Sequence, residues 1–173
     1  EIRPLIEEKI IQTILHGTTD RQKRLGQDLD SIGLDIANLL CVGIILEIDN
    51  YSLLKEDPGE SFIRELKKQI TDKVELTLQE PFYEHIKSEI THNRLAIVVF
   101  FNSVEELTQF SPHFFQSLRG VTLLHPYSIT CTMGEMQYSI ETIRESFLLA
   151  QALLSYKFFQ GPGKVFTPET PKH

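Results

Sequence analysis

Two carboxylates two positions apart, Glu47 and Asp49, close an apolar run and so project from the same side of an extended chain. Paired acids are hard oxygen ligands, and with a divalent cation between them they would clamp phosphate oxygens and stabilise charge developing there. The turn Thr91-His92-Asn93, followed by Arg94, is the segment to which these acids have to be related. Taken alone, two acids at a strand end are also ordinary solvated surface groups.

Other chemistries have less support in the residue pattern. His85 and His92 have no cysteine or second histidine at zinc-ligand spacing, so no metal site is expected. No Gly-x-Ser-x-Gly elbow is present, and Gly161-Pro162-Gly163 lacks the Lys-Ser and helix of a phosphate loop. Phe110, Phe114 and Phe115 recur at helical spacing and read as core. Cys41 and Cys131 sit inside apolar stretches, as buried thiols do. No catalytic residue and no cofactor are expected.

The elements that must position the acids follow from periodicity. Ile6, Ile10 and Ile14 predict a first helix stopped at Gly17, and Leu25, Leu29 and Ile32 predict a second over about 20–31, closed by Gly33. From Leu40 to Asp49 the period becomes two: Val42, Ile44, Leu46 and Ile48 lie on one face, with Cys41, Gly43, Ile45, Glu47 and Asp49 on the other. Asp57-Pro58-Gly59-Glu60 reads as a capped helix start, and Phe62, Leu66, Ile70, Val74 and Leu78 carry that helix to about residue 78. An edge strand over 84–90 and a central strand over 95–101 form a hairpin about Thr91-His92-Asn93. Ser103 and Glu106 then cap a helix through Leu118 to Gly120, containing Pro112. A strand over 127–133, a helix started by Ser139 and a short strand at Val165 complete the chain.

Two helices followed by β-α-β-β-α-β-α-β predict an α+β fold, an antiparallel ferredoxin-like sheet with packed helices, preceded by an N-terminal helical hairpin. In that topology the first strand runs beside and opposite to the third, so Glu47 and Asp49 approach Thr91–Leu95. The expected organisation is a helical lead-in over 1–36, a regulatory domain over 37–168 and a tail over 169–173. At 173 residues with 41% hydrophobic composition the chain can bury an adequate core. A formal charge of −7, with Arg21, Lys23 and Arg24 as its densest basic group, predicts no direct nucleic-acid contact. No run long enough to span a bilayer appears, so no membrane association is expected and the location is expected to be cytoplasmic.

The segment Leu46-Glu-Ile-Asp-Asn-Tyr51 resembles the first strand of GGDEF domains. Ala150-Gln-Ala-Leu-Leu-Ser-Tyr-Lys-Phe-Phe-Gln-Gly-Pro-Gly-Lys-Val-Phe166 resembles the last helix and strand of the degenerate GGDEF-like middle domain in YesN-type response regulators of the AraC class. The likeness covers nearly the whole chain, and Leu5–Ile36 resembles the segment following the receiver domain in those regulators. It implies a nucleotide-cyclase-type fold and, as partners, a receiver domain and a helix-turn-helix DNA-binding domain of the same longer protein. Active members of the family are diguanylate cyclases, which join two GTP molecules with a carboxylate-held metal and a hairpin carrying two glycines.

Setting Leu95 at the family's hairpin phenylalanine places Thr91 and His92 at the two glycines, Asn93 at the aspartate and Arg94 at the glutamate. Glu47 stands at the first-strand metal acid, while Ser52, Lys55 and Glu56 replace the family's Lys, Asn and Asp. The resemblance therefore implies a degenerate corner in which Arg94 contacts Glu47 or Asp49 in place of a magnesium ion, and a chain that is not an enzyme. The function expected is signal transmission through protein contacts, including a homodimer paired along the Leu5–Leu15 helix. The alternative is a sensor binding a small molecule or nucleotide at Glu47, Asp49, Asn93 and Arg94, and residual cyclase activity is a third reading.

Overall fold

A computed structural model describes residues 2–122 and 127–169, the side chains of 120–122 excepted. Leu40–Ile48 (β1) is apolar on both faces, and it lies second from neither edge but at the centre of a five-stranded sheet ordered β2-β3-β1-β4-β5. β2 (His85–Thr91) pairs antiparallel with β3 (Arg94–Phe101), β3 and β4 (Ile129–Met133) each pair antiparallel with β1, and β5 (Val165–Phe166) lies parallel to β4. This is the α+β arrangement that the order of elements predicts. The hairpin turn is tighter than expected, since Thr91 still pairs with Arg94 and only His92 and Asn93 bridge the strands.

Helices cover both faces of the sheet, which accounts for the continuous apolar runs of β1 and β3. Val42, Ile44, Leu46 and Ile48 pack with Ile97, Val99 and Phe101 beneath α5 (Glu60–Gln79) and α6 (Val104–Thr122). α5 contributes Leu66, Ile70, Val74 and Leu78, one side of its turns, and α6 contributes Phe110, Phe114 and Leu118. Tyr83, Phe101, Phe110 and Phe114 form an aromatic chain with ring centroids 4.9–5.5 Å apart.

On the opposite face Cys41, Ile45, Ala96, Val98 and Phe100 pack against α1 (Arg3–His16), α3 (Leu25–Asp30) and α7 (Ile143–Leu153). Ile10, Ile11 and Ile14 of α1 are all buried there. Ile10, Ile11 and Ile14 are thus used by the chain's own sheet, while Leu5 of the same helix stays exposed. The helix expected over 20–31 is divided at Lys23 and Arg24 into α2 (Thr19–Gln22) and α3, with Gly33 at φ +85° closing the segment.

Two starts also differ. α5 begins after Gly59, at φ +115°, with no side-chain cap, so Asp57 is not its N-cap; a short helix, α4 (Tyr51–Glu56), precedes it. α6 continues through Pro112 and beyond Gly120 to Thr122. Its start is as expected, the Glu106 N–H donating to Ser103 Oγ at 3.3 Å.

α7 lies very close to the sheet because two glycines remove side chains from its path. A Cβ on Gly43 would stand 3.0 Å from the Phe147 ring, and one on Gly134 would stand 1.8 Å from the Ser146 carbonyl oxygen. The Gly43 N–H donates to Ser146 Oγ at 2.8 Å, fixing the helix to β1. A 3₁₀ turn, Leu154–Tyr156, carries the chain on into α8 (Lys157–Gln160).

Candidate functional site

Glu47 and Asp49 are both buried, not solvated: the Glu47 side chain is 9% exposed and that of Asp49 1%. An unpaired buried carboxylate would be too costly to keep ionised, so each must be matched by donors. The register supplies the first match. Glu47 stands opposite Arg94 on β3 and opposite Thr130 on β4. Arg94 Nε donates to Glu47 Oε2 at 2.6 Å, the acid–arginine contact expected from sequence.

The second cation is Lys157, at the start of α8, and sequence reasoning did not place it here. Its Nζ bonds Glu47 Oε1 and lies 2.6 Å from Asp49 Oδ1. Asp49 also accepts from Thr130 Oγ1 at 2.8 Å, from Ser128 Oγ at 2.7 Å and from the Gly163 N–H at 2.9 Å. All four acceptor positions of the Asp49 carboxylate are therefore used. The turn Gly161-Pro162-Gly163 is a donor to a carboxylate within the chain.

Of the four residues expected to line a binding corner, Glu47 and Arg94 meet directly. Asp49 does so only through Lys157, facing β4 and the C-terminal loop. Asn93 forms the turn: its carbonyl accepts from the Ile48 N–H at 2.9 Å and its Oδ1 accepts from Thr91 Oγ1 at 3.0 Å. His92 stacks on Tyr51, with centroids 6.5 Å apart, and Lys67 lies 5.9 Å over the same tyrosine ring.

Burial alone would raise the Glu47 carboxyl, but the hydrogen bonds and charges of Lys157 and Arg94 outweigh it and hold the group below the ordinary glutamate range. Burial would likewise lower Lys157, and its bonds to Asp49 and Glu47 with their charges raise it instead. Two acids and two bases leave the corner neutral. The thiols take no part: Cys41 and Cys131 are free and buried, with Cys41 pushed up to about 12 by desolvation.

Neither a family model nor a curated protein sequence matches the chain. Solved structures do. The active GGEEF domain of a diguanylate cyclase from Vibrio cholerae superposes with TM-score 0.59 at 12% identity, covering 84% of this chain and 90% of that one. The GGDEF domain of DgcB from Caulobacter crescentus, in complex with c-di-GMP, gives TM-score 0.63 at 11% identity, covering 89% and 90%. At such identities the likeness is one of fold, and the fold is that of GGDEF cyclase-type domains. The expectation that the chain is not an enzyme is overturned by this comparison, because the architecture it shares over most of its length is one on which a diguanylate cyclase is active.

That fold family implies a divalent ion, and the donor set can be tested for it. Both oxygens of Glu47 are occupied by Arg94 and Lys157, and Asp49 is saturated. Among the described residues no group of three or more His, Cys, Asp or Glu is placed to hold a metal. The arrangement as it stands does not fit a bound cation. Among the described residues no helix is long and apolar enough to cross a membrane.

Proposed function

We propose that the chain is a signal-transmitting domain of a bacterial two-component transcription regulator of the AraC class, acting through protein contacts between its first helix and its C-terminal segment. The observation that carries this reading is a pair of polar contacts, one holding α7 to the end of α1 and one holding α8 to the acid corner, joined by the helical segment between them. Arg144 of α7 donates from Nε to the Ile14 carbonyl at 2.7 Å, from Nη2 to Thr13 O at 3.4 Å, and also from Nη2 to the Gly17 carbonyl. The Ile14 carbonyl is one of those that the end of α1 leaves without a helical partner, while Thr13 O also accepts from the Gly17 N–H at 2.8 Å. α7 leads through the 3₁₀ turn into α8, where Lys157 is gripped by Glu47 and Asp49, and Asp49 in turn holds Gly163 ahead of β5.

A shift of α1 would therefore pull on α7 and, through it, on the acid corner and the closing strand. Interfaces of this kind switch between discrete arrangements because packed cores do not deform continuously. The regulator context rests on the sequence resemblance of Leu46–Tyr51 and Ala150–Phe166, with which the GGDEF-type fold agrees.

Hydrogen exchange on Arg144→Gln and wild-type chains tests the coupling. Faster exchange at both ends, in α1 and in α8–β5, supports transmission; faster exchange confined to α1 refutes it. A parallel thermal titration with GTP plus Mg²⁺ and with cyclic di-GMP separates the alternatives. Saturable stabilisation would replace transmission by a sensor, and turnover of GTP would replace it by a cyclase.

A further inference from the structure

β2 is one edge of the sheet, with α1 packed on one of its faces and Glu75 and Lys67 of α5 paired with charges on the other. Among the described residues no strand lies beyond it. The Phe100 N–H donates to the Glu84 carbonyl at 2.9 Å, and Ile86 and Ser88 stand opposite Val98 and Ala96. By the alternation of an antiparallel ladder, Ile86 and Ser88 turn their backbone groups to β3, whereas His85, Lys87 and Glu89 turn theirs away from the sheet. The opposite edge, β5, is only two residues long.

Charged side chains on an edge ordinarily repel strangers, but Lys87-Ser88-Glu89 is complementary to itself when reversed. We infer that β2 is the interface of a symmetric dimer, in which two copies pair antiparallel about Ser88 and join their sheets into one. In that register Lys87 stands opposite the partner's Glu89, and Glu89 opposite the partner's Lys87. All of these are outward-facing residues, so each pair exchanges both of its main-chain hydrogen bonds. Centring the axis on Lys87 or on Glu89 instead sets like charges against each other, which is destabilising. The charges therefore select one register, and the twofold axis closes the assembly at a dimer.

The surrounding charges extend the pattern. Lys87 Nζ bonds Glu75, and Lys67 Nζ lies 3.4 Å from Glu89, whose side chain is 61% exposed and within reach of a neighbouring strand. Across the axis the order becomes Glu75, Lys87, the partner's Glu89 and the partner's Lys67, alternating in sign throughout. Ser88 Oγ donates to the Glu89 carbonyl at 3.1 Å, and the second lone pair of that carbonyl accepts the partner's Lys87 N–H. The bulge between Glu89 and Thr91 ends the ladder there and keeps the contact short. The dimer uses neither Leu5 nor the acid corner, and stands or falls independently of transmission from α1.

Sedimentation velocity on the whole chain tests it. Wild type is expected to self-associate reversibly, with a dissociation constant between about 1 µM and 1 mM for so short a ladder. Glu89→Lys sets positive against positive charge and Lys87→Glu negative against negative, so each alone is expected to stay monomeric and an equimolar mixture of the two to dimerise. Because Lys87→Glu also faces Glu75, two further variants keep the test decisive if it does not fold. Glu89→Pro removes an outward N–H without touching the β3 ladder and is expected to be monomeric. Ser88→Cys places the new thiols at a pair on the axis, with Cβ atoms about 4.5–5.5 Å apart, and is expected to crosslink into a dimer on mild oxidation. A wild type monomeric up to about 1 mM, a dimer that survives both Glu89 substitutions, one lost only in Leu5→Asp, or no crosslink in Ser88→Cys overturns the inference.

Discussion

Asp49→Asn should be far more damaging than its near-identical shape suggests. The carboxylate accepts from four donors, two on each oxygen: Lys157 and Thr130 on Oδ1, Ser128 and the Gly163 N–H on Oδ2. An amide keeps one oxygen and turns two hydrogens toward the other pair. If the oxygen stays with Lys157 and Thr130, the amide NH₂ faces the Ser128 hydroxyl, which can rotate to accept, and the Gly163 N–H, which cannot. In the other orientation it faces the Lys157 ammonium, which has no acceptor at all. Either way a buried donor meets a donor, and Lys157 loses half of its countercharge. Breaking a buried pair from one side costs about 3–5 kcal/mol. For a chain of this length that is a fall of roughly 10 °C in Tm. Urea denaturation should show a lower midpoint with an unchanged slope. A loss below about 1 kcal/mol would mean that water, not Lys157 and Gly163, satisfies Asp49, and the corner as described would be wrong.

Gly134→Ala would place a Cβ 1.8 Å from a backbone oxygen of α7 and should prevent that helix from seating, whereas Gly26→Ala in α3 meets nothing within 4 Å. The first should cost more than about 3 kcal/mol and the second should stabilise by about 0.5–1 kcal/mol, both read from thermal melts. The acid corner sets a pH window. Glu47, held below its ordinary value, contributes fully above the unfolded glutamate range and loses that contribution as pH falls through its folded-state value. Lys157, held above its ordinary value, contributes fully below the unfolded lysine range and loses it as pH rises through its folded-state value. The urea midpoint of wild type should therefore be flat between roughly pH 5 and pH 10 as far as these two groups go, and Glu47→Gln should lower that plateau and make the acid-side decline shallower.

Elements dictated by local periodicity were legible in the sequence, and those dictated by distant contacts were not. Alternation over Leu40–Asp49 assigns both faces of β1 correctly because each face is buried under helices. The pairing of β1 with β3 follows from topology, and the resemblance that sets Arg94 at the family's hairpin glutamate adds its contact with one of the two acids, which is Glu47. The other half of the site was hidden because the sequence reading considered only one neighbour of β1. Thr130 arrives from β4 on the other side with Ser128 just before that strand, and Lys157 from a helix 110 residues along the chain. A signal was present: in that topology β4 flanks β1, so the hydroxyls at 128 and 130 had to stand near the acids. The start of α5 misled because Asp57-Pro58-Gly59-Glu60 fits a capping pattern, yet Gly59 takes a positive φ and acts as the cap itself. The break between α2 and α3 had no periodic signature. Beside it Gln22 Nε2 donates to the carbonyls of Thr13 and Ile14 at the end of α1, a contact that no local pattern announces.

The corner also bears on what a buried ion cluster is for. Two acids and two bases taken from water gain little net stability over well-packed apolar residues, because desolvation offsets their attraction. Their directionality is a different matter. Glu47 holds a strand neighbour with one oxygen and the C-terminal helix with the other, while Asp49 holds that helix, β4 and the Gly163 loop. An apolar cluster of equal volume would bury the same area without specifying which of these elements meet, since apolar contact has no preferred partner. α8 and β5, short and poorly covered by their own side chains, need that specification more than the long elements of the core do. Glu47 and Asp49 thus set the position of α8 and β5, the last helix and strand among the described residues.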